Sequence, residues 1–261
     1  MADGQIPKDH PRTVALIQAR MGSSRLPGKV LRDIAGEPML ARVAARARRA
    51  RTIDQVAVAT TVEAEDDAVA AACAAWGLPV CRGSLHDVLD RYYQAARELK
   101  AEVVVRLTAD CPLIDPAEID HTVEEFFRSG VDFAANRLPW GRTVPIGLDT
   151  EVCSFAALER AWKEAAEPYE REHVMPYLYD QEGRFRVLLV NSSPDYGSLR
   201  WTVDTPEDLE LIRAVYARFP GRDDFSTAEI VELFEREPSL ANINAGIKHK
   251  TYRDIDERRF G

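Results

Sequence analysis

From residue 13 to about residue 135, short apolar runs alternate with stretches in which apolar residues recur at helical spacing. The apolar runs predict strands at 13–17, 55–60, 78–81, 103–107 and 132–135, and the intervening stretches predict helices at 39–50, 65–76, 88–99 and 116–129. This alternation is typical of βαβ units in a parallel sheet. The chain is therefore predicted to be an α/β protein with an open, mostly parallel sheet flanked by helices, and such sheets bind ligands beyond the carboxyl ends of their strands.

The pattern changes after Asn136. Residues 137–148 are rich in Pro, Gly and Arg, and they precede a predicted strand at 150–152, two helical stretches and a predicted strand at 185–190. We interpret residues 137–198 as an insertion into one domain that spans residues 13–261. The main fold is then predicted to resume with a strand at 199–203.

Two helix starts are well marked after that strand. Thr205 suits the N-cap position of the first helix, Pro206 its first turn, and Asp208 completes a pattern like a capping box. A last helix is predicted to begin with a capping box at Ser226 and Glu229. Residues 1–12 are polar, contain two prolines and are predicted to form a loose N-terminal arm.

Charge and composition exclude several classes of function. The chain has 34 basic and 43 acidic residues, and a net charge of −9 disfavours binding to nucleic acid or to an anionic membrane. No window approaches the ~18 apolar residues of a membrane span, and the N-terminus lacks a signal-peptide core, so we expect a cytoplasmic protein. The four cysteines lack the spacing of a zinc site or a disulfide framework.

The loop after the first predicted strand combines cations with glycines. Arg20, Arg25 and Lys29 supply positive charge, while Gly22 and Gly28 let the backbone approach a ligand closely or adopt positive φ. This pattern predicts a polyphosphate site, and a basic surface loop is the alternative. It is not a P-loop, because five residues instead of four separate the glycines and a valine follows the lysine.

The string Q-A-R-x-G-S-x-R-L-P-G-K, from Gln18 to Lys29, resembles the opening loop of the cytidylyltransferases that make CMP-linked 3-deoxy-octulosonate and sialic-type acids. Within that family it looks like the branch of spore-coat polysaccharide biosynthesis. The resemblance implies a Rossmann-like fold of the nucleotide-diphospho-sugar transferase type, and transfer of CMP from CTP to an acidic sugar with release of pyrophosphate. It also implies a homodimer, with dimerisation and acceptor elements in the inserted region. The loop residues assigned to the nucleotide are Gln18, Ala19, Arg20, Gly22, Ser23, Arg25 and Lys29.

Two aspartates are candidate ligands of Mg²⁺, which prefers carboxylate and phosphate oxygens. Asp110 follows the strand at 103–107 and Asp204 follows the strand at 199–203, so both lie on the ligand side if these strands are parallel to the first. A turn former and a helix cap are the respective structural alternatives. The resemblance agrees with the metal interpretation, because acidic residues at these two places bind the metal in the family. Together with Arg20 and Lys29 they are the predicted catalytic residues.

Further residues are assigned to the nucleotide pocket. Arg82, Gly83 and Ser84 follow a predicted strand, and the resemblance places them near the base and ribose; a capped helix start is equally consistent with them. Thr60 ends the second strand and Thr108 precedes Asp110, so both are candidates to line the same pocket.

The acceptor pocket is assigned to the inserted region. The segment from Gly147 onward resembles a family segment that shapes this pocket and contributes Asp149 and Glu151, but an isoleucine stands where the family often has an acidic residue. His173 matches the branch, and a structural role is its alternative. Two arginines in the preceding loop could clamp a carboxylate or simply face solvent; they are Arg137 and Arg142.

Other functions stay open at this point. The same fold could use another nucleoside triphosphate, or a sugar phosphate or phosphonate as acceptor, and a regulator that binds a nucleotide without catalysis is a further alternative. A glycosyltransferase is disfavoured, because Thr108-Ala109-Asp110 stands where such enzymes carry an Asp-x-Asp metal motif.

Overall fold

A computed structural model describes residues 10–247, and its central feature is a seven-stranded sheet with helices on both faces. The strands are β1 Thr13–Gln18, β2 Asp33–Ile34, β3 Glu37–Pro38, β4 Gln55–Thr61, β5 Val80–Gly83, β6 Val103–Thr108, β7 Phe133–Ala135, β8 Arg137–Leu138, β9 Gly141–Arg142, β10 Glu151–Ser154 and β11 Val187–Leu189. The helices are α1 Met39–Ala47, α2 Asp67–Ala75, α3 Val88–Glu98, α4 Pro116–Ser129, α5 Phe155–Glu164, α6 Pro168–His173, α7 Pro176–Tyr179, α8 Pro206–Ala217 and α9 Thr227–Arg236.

The order of strands in the main sheet is β11-β7-β10-β6-β1-β4-β5. Strand β10 is antiparallel to both of its neighbours, and the other pairs are parallel. The chain proceeds from β1 to β4 and β5 on one side and then crosses to β6 on the other side of β1. This switch opens a crevice beyond the carboxyl ends of β1 and β6, which is where open α/β sheets bind ligands. The predicted fold class is confirmed.

Side chains of the central strands alternate between two helical layers. Val105 and Leu107 of β6 pack into the cluster formed with α1, α2 and α4. Val104 packs into the cluster formed with α3, α5 and α7. Arg106 therefore projects from β6 toward the layer that contains α3.

The predicted strand at 199–203 is wrong. This segment is extended, but its only ladder contact among the described residues is an isolated bridge between Ile146 and Arg200. Trp201 N donates to the carbonyl of Ile146 at 2.7 Å, and Val203 N donates to the carbonyl of Asp110 at 2.8 Å. The segment is apolar because Trp201 and Val203 pack into a third cluster with α8 and α9.

The segment predicted to be an insertion, 137–198, supplies β10 and β11 to the main sheet and α5–α7 to one of its faces.

Residues 1–9 of the predicted N-terminal arm lie outside the described residues. Arg12, at its end, donates from its backbone to Glu102 Oε2 at 2.8 Å and from Nε to the carbonyl of Leu99 at 3.0 Å.

Among residues 10–247, no helix is long and apolar enough to cross a bilayer.

Gly147 is the point where the chain passes closest to the 199–203 segment. It has φ 111°, and a Cβ atom there would lie 2.6 Å from Thr202 N and 2.7 Å from the carbonyl carbon of Trp201. We expect Gly147→Ala to lower the free energy of unfolding by about 2–5 kcal/mol, measured by urea denaturation. Gly130→Ala is the matched control: its φ is 62°, nothing lies within 4 Å of its Cβ position, and the expected loss is only about 1 kcal/mol. Equal losses in the two variants would contradict the close contact.

Candidate active site

The loop after β1 folds back on itself and delivers Lys29 to the carboxyl edge of the sheet. Gly28 has φ 68°, and its N–H donates to the carbonyl of Met21 at 2.9 Å, which closes the loop. Asp66 fixes the other side, because its Oδ1 accepts from Met21 N at 2.6 Å. Leu26 anchors the loop in the third apolar cluster. The chain then enters a 3₁₀ turn, Lys29–Leu31.

Lys29 joins three segments of the chain. Its Nζ donates to Asp110 Oδ2 at 2.8 Å, to Asp204 Oδ1 at 2.9 Å and to the carbonyl of Val203 at 2.8 Å, so its three donors are satisfied. The side chain is only 11% exposed. Burial alone would lower the pKa of Lys29, but the charges of Asp110 and Asp204 outweigh burial and raise it. Lys29 is therefore a buried ammonium at neutral pH.

Asp204 receives two further cations. Arg25 Nη2 lies 3.2 Å from Asp204 Oδ2, and Arg200 Nη2 lies 3.0 Å from the same oxygen. Burial would raise the pKa of Asp204, but the charges of Lys29 and Arg25 and the hydrogen bonds from Lys29 and Arg200 hold it well below its ordinary value. Asp204 is therefore ionised. It is not the cap of α8, because Thr205 holds that position, as predicted.

Arg200 links Asp204 to a fully buried carboxylate. Its Nη2 donates to Asp208 Oδ2 at 2.8 Å, and its Nε donates to Asp208 Oδ1 at 3.0 Å. Asp208 is 0% exposed and also closes the capping box of α8 with Thr205. Arg200 and Asp208 thus form the support of Asp204.

The two carboxylates that meet at Lys29 are hard oxygen donors of the kind that Mg²⁺ takes in partly protein-built sites. Among residues 10–247, no cluster of three or more His, Cys, Asp or Glu side chains could enclose a metal ion on its own. The donor set therefore fits an ion whose remaining ligands come from phosphate and water. Asp110 and Asp204 would be its protein ligands.

A second polar cluster lies on the α3 side of the sheet. Arg106 forms a short ion pair with Glu151, which is its neighbour across the β6–β10 ladder, and its Nη2 donates to Gln18 Oε1 at 3.2 Å. Burial lowers the pKa of His173, and the charges of Arg106 and Arg137 lower it further against the opposite effect of Glu172 and Glu151. Of the predicted acceptor residues, Glu151 thus contacts Arg106 directly, whereas His173 ends α6 and Arg137 begins β8.

Arg142 and Asp149 are paired with each other. Arg142 Nη1 lies 2.6 Å from Asp149 Oδ1, and Nη2 lies 3.1 Å from Oδ2. The Arg142 guanidinium is therefore already bound to a carboxylate of the same loop. An acceptor could contact it only alongside Asp149 or by displacing Asp149.

The predicted nucleotide residues after β4 and β5 hold the local backbone. Arg82 Nε donates to the carbonyl of Thr61 at 2.8 Å, and Ser84 Oγ accepts from Asp87 N at 3.0 Å. Asp87 caps α3, so the capped helix start that the sequence allowed is present. Thr60 Oγ1 is buried without a hydrogen-bond partner among the described residues.

The remaining predicted site residues lie along the same edge. Thr108 Oγ1 lies 3.2 Å from Cys111 Sγ, and Ser23 Oγ accepts from Leu26 N at 3.3 Å. Ala19 is buried, and its N–H donates to the carbonyl of Ala59 at 3.2 Å. Arg20 and Gly22 are half-buried in the opening loop.

Sequence reasoning missed three arginines that shape the site. Arg106 had a detectable signal, because it is the one charged residue in the otherwise apolar run V-V-V-R-L-T, and a charge in a buried strand is costly unless it is paired or functional. Arg91 lies on the apolar face of an amphipathic helix, where Val88, Leu89 and Tyr92 are buried beside it. Arg200 carried the same kind of signal, because it is the one charged residue in the run L-R-W-T-V, which the sequence predicted as a strand.

Comparison with known proteins agrees with this geometry. A family model described as cytidylyltransferase matches residues 14–229. The spore coat polysaccharide biosynthesis protein SpsF of Bacillus subtilis is 34% identical over 236 residues, which cover 87% of this chain and 95% of that protein. The 3-deoxy-manno-octulosonate cytidylyltransferase of Anaeromyxobacter sp. strain K is 45% identical over 238 residues, which cover 77% of this chain and 96% of that protein.

A solved structure shares the whole architecture. The cytidylyltransferase from Leptospira borgpetersenii serovar Hardjo-bovis is 33% identical and superposes with a TM-score of 0.85. The match covers 92% of this chain and 100% of that one. The similarity therefore extends from the β1 loop through α8, the elements that carry Lys29, Asp110 and Asp204.

Proposed function

Since the chain belongs to the cytidylyltransferase family, and is thus a nucleotidyltransferase, we propose that it transfers CMP from CTP to an acidic sugar of the ulosonic or sialic type and releases pyrophosphate. The observation that carries this proposal is the contact of one lysine, Lys29, with two carboxylates from distant segments, Asp110 and Asp204. That contact brings a cation beside two carboxylates at the edge of the sheet where the topology predicts a ligand, which supports roles in binding phosphate and metal.

The residues of the β1 loop would hold the β- and γ-phosphates. Arg20 and Lys29 would neutralise the charge that builds up on the departing pyrophosphate. Arg25, from the same loop, contacts Asp204. Positioning and electrostatic stabilisation dominate phosphoryl-type transfer, so no covalent nucleophile is needed. The acceptor oxygen would attack the α-phosphorus directly, in line with the leaving group.

Asp110 and Asp204 would hold Mg²⁺ together with phosphate oxygens. The ion would supply charge neutralisation and orientation at the α-phosphate. In the free protein, Lys29 holds one oxygen of each carboxylate, and it would share them with the ion or turn toward the phosphates. Arg200 keeps Asp204 in place in either case, because it is itself fixed by Asp208.

The acceptor would enter on the α3 side of the carboxyl edge, where Glu151 is paired with Arg106, and Arg137 and His173 would complete its pocket. Support for an acidic sugar comes from a relative whose name gives its acceptor, 3-deoxy-manno-octulosonate. The homodimer and the cytoplasmic location stay predictions from the sequence.

The proposal is tested by pyrophosphate release with each of the four nucleoside triphosphates across a panel of acidic sugars, sugar phosphates and phosphonates. We expect CTP to exceed the other nucleotides by about tenfold or more, as a site that hydrogen-bonds one base discriminates against the others. Chelation of divalent metal should abolish release, and Mg²⁺ should restore it.

Each other outcome changes a defined part of the proposal. Turnover with another nucleotide, or with a phosphate or phosphonate acceptor only, would replace the substrate while keeping the reaction. Tight binding of CTP without turnover of any acceptor would instead indicate a regulator. Turnover that persists at full rate after chelation would contradict the metal role of Asp110 and Asp204.

A further inference from the structure

Arg91 is a buried arginine whose guanidinium is only partly used by the protein. It lies on α3 and is 1% exposed. Its side chain packs against Gly83, where an added Cβ atom would lie 3.0 Å from Arg91 Cγ. Its Nη1 donates to the carbonyl of Ser84 at 2.8 Å. Its Nε and Nη2 are buried and have no hydrogen-bond partner among the described residues. These two nitrogens form one edge of the guanidinium, the edge that pairs with two oxygens of a carboxylate or phosphate.

The surroundings of Arg91 do not balance its charge. Burial, together with the charges of Arg20 and Arg106, lowers the pKa of Arg91 to about 10 against the opposite effect of Tyr92. Asp66 acts in the opposite direction, but its two oxygens are engaged by Met21 N and the hydroxyl of Thr61. A buried cation with open donors is costly, and native proteins rarely keep one without a ligand or a functional reason.

Arg106 has the same incomplete pairing. Its Nη groups contact Glu151 and Gln18, but its buried Nε has no partner within residues 10–247. Strand alternation directs Arg106 toward the layer of α3, and the charges of Arg91 and Arg106 act on each other. The two arginines therefore lie on one side of the sheet: Arg91 is on α3, and Arg106 Cζ lies 5.9 Å from the centre of the ring of Tyr92 on the same helix.

We propose that Arg91 and Arg106 form a second anion site, separate from the triphosphate loop, that binds the acid group of the acceptor. This inference rests on the proposed function and narrows it: the acceptor must carry a group with two adjacent anionic oxygens. The contacts favour the acceptor over the nucleotide, because Arg106 is paired with Glu151, a residue that the sequence assigns to the acceptor pocket. The triphosphate has its own cations in Arg25 and Lys29.

The test uses calorimetric titration of the full chain saturated with α,β-methylene-CTP, which cannot be turned over. The probes are 3-deoxy-manno-octulosonate, N-acetylneuraminate and inorganic phosphate, with the methyl ester of 3-deoxy-manno-octulosonate as the probe without the acid group. We expect at least one acid probe to bind, the ester not to bind, and Arg91→Met to weaken acid binding by about tenfold or more, since a charge-assisted pair is lost. Arg91→Lys keeps the charge but loses the two-nitrogen edge, so it should also bind weakly.

Arg97→Met is the matched control, because Arg97 lies on the same helix and is exposed. It should bind the acid probe within about twofold of the wild type. The dissociation constant of CTP should be the same in the wild type and in all three variants, which also shows that the variants are folded.

The proposal is overturned if none of the acid probes binds the wild type, if Arg91→Met binds them normally, or if Arg91→Met weakens CTP instead. That last result would assign the guanidinium edge to the nucleotide. Acid binding that depends on Arg91 in a protein that fails to bind CTP would support the anion site while refuting the proposed function.

Discussion

Replacing Lys29 with methionine is expected to lower pyrophosphate release from CTP by about two orders of magnitude or more, as the loss of a transition-state charge donor does in other enzymes. Methionine keeps the length and volume of the buried stem but removes the ammonium that joins Asp110, Asp204 and the carbonyl of Val203. The measurement is kcat at saturating CTP and acceptor, because a residue that acts on the leaving pyrophosphate should affect kcat and not the affinity alone.

The matched control for Lys29→Met is Arg32→Met. Arg32 lies three residues further along the chain and is exposed, and its side chain donates to the carbonyl of Pro27 at 3.4 Å. Its loss should change kcat by less than about twofold. Lys29→Arg restores the charge at a different position, so partial recovery would separate the electrostatic role from simple packing. A kcat for Lys29→Met within about threefold of the wild type would refute the mechanism.

Replacing Arg200 with methionine is expected to lower the free energy of unfolding by about 3–5 kcal/mol, the usual cost of removing one partner from a buried ion pair. The reason is Asp208, which is fully buried and would lose both of its bonds to the guanidinium. Asp204 would lose one cation and keep Lys29 and Arg25. Stability is measured by urea denaturation at pH 7.

The acid dependence of stability gives a second readout of the same change. Burial would raise the pKa of Asp208, but hydrogen bonds from Arg200 and Asn244 hold it below its ordinary value, and the pKa of Asp204 is lowered as well. The stabilisation from such groups is complete above about pH 4, the unfolded value, and is lost as the pH falls through the folded values. Arg200→Met should therefore show a shallower loss of stability on acidification below pH 4 than the wild type.

Arg213→Met serves as the control for Arg200→Met. Arg213 is exposed on α8, and its Nε donates only to the carbonyl of Asp33 at 2.9 Å. Its loss should cost no more than about 1 kcal/mol. If Arg200→Met is as stable as Arg213→Met, then Asp208 is not held as an ion by Arg200.

The elements that the sequence predicted well are those whose own side chains determine them. The strands β1, β4 and β6 are apolar on both faces, and α4 begins and ends where its cap residues indicate, from Pro116 to Ser129. The segment 199–203 has the same apolar composition but was wrongly predicted as a strand. Its backbone partners are loop residues such as Ile146 and Asp110, and periodicity carries no information about which backbone a segment pairs with.

The site residues also differ in whether the sequence alone could predict them. Lys29 and Asp110 could be predicted, because the loop motif and the end of β6 place them at one edge. Asp204 was predicted from the family resemblance and from a strand at 199–203 that is not present, and the structure still brings it within hydrogen-bond distance of Lys29. Arg91 was missed although it interrupts the apolar face of α3. Its role depends on the guanidinium nitrogens that stay unpaired after Nη1 donates to Ser84, and periodicity gives no information on such pairing.

The reversed direction of β10 has an evolutionary consequence. Because β10 is antiparallel to β6, its first residue, Glu151, lies opposite Arg106 near the carboxyl end of β6. On the proposed function, the loop that leads into β10 would reach the acceptor side of the carboxyl edge, and the β1 loop would reach the phosphate side. Substitutions between residues 138 and 150 would then change the choice of sugar and leave the residues that hold the triphosphate unaltered.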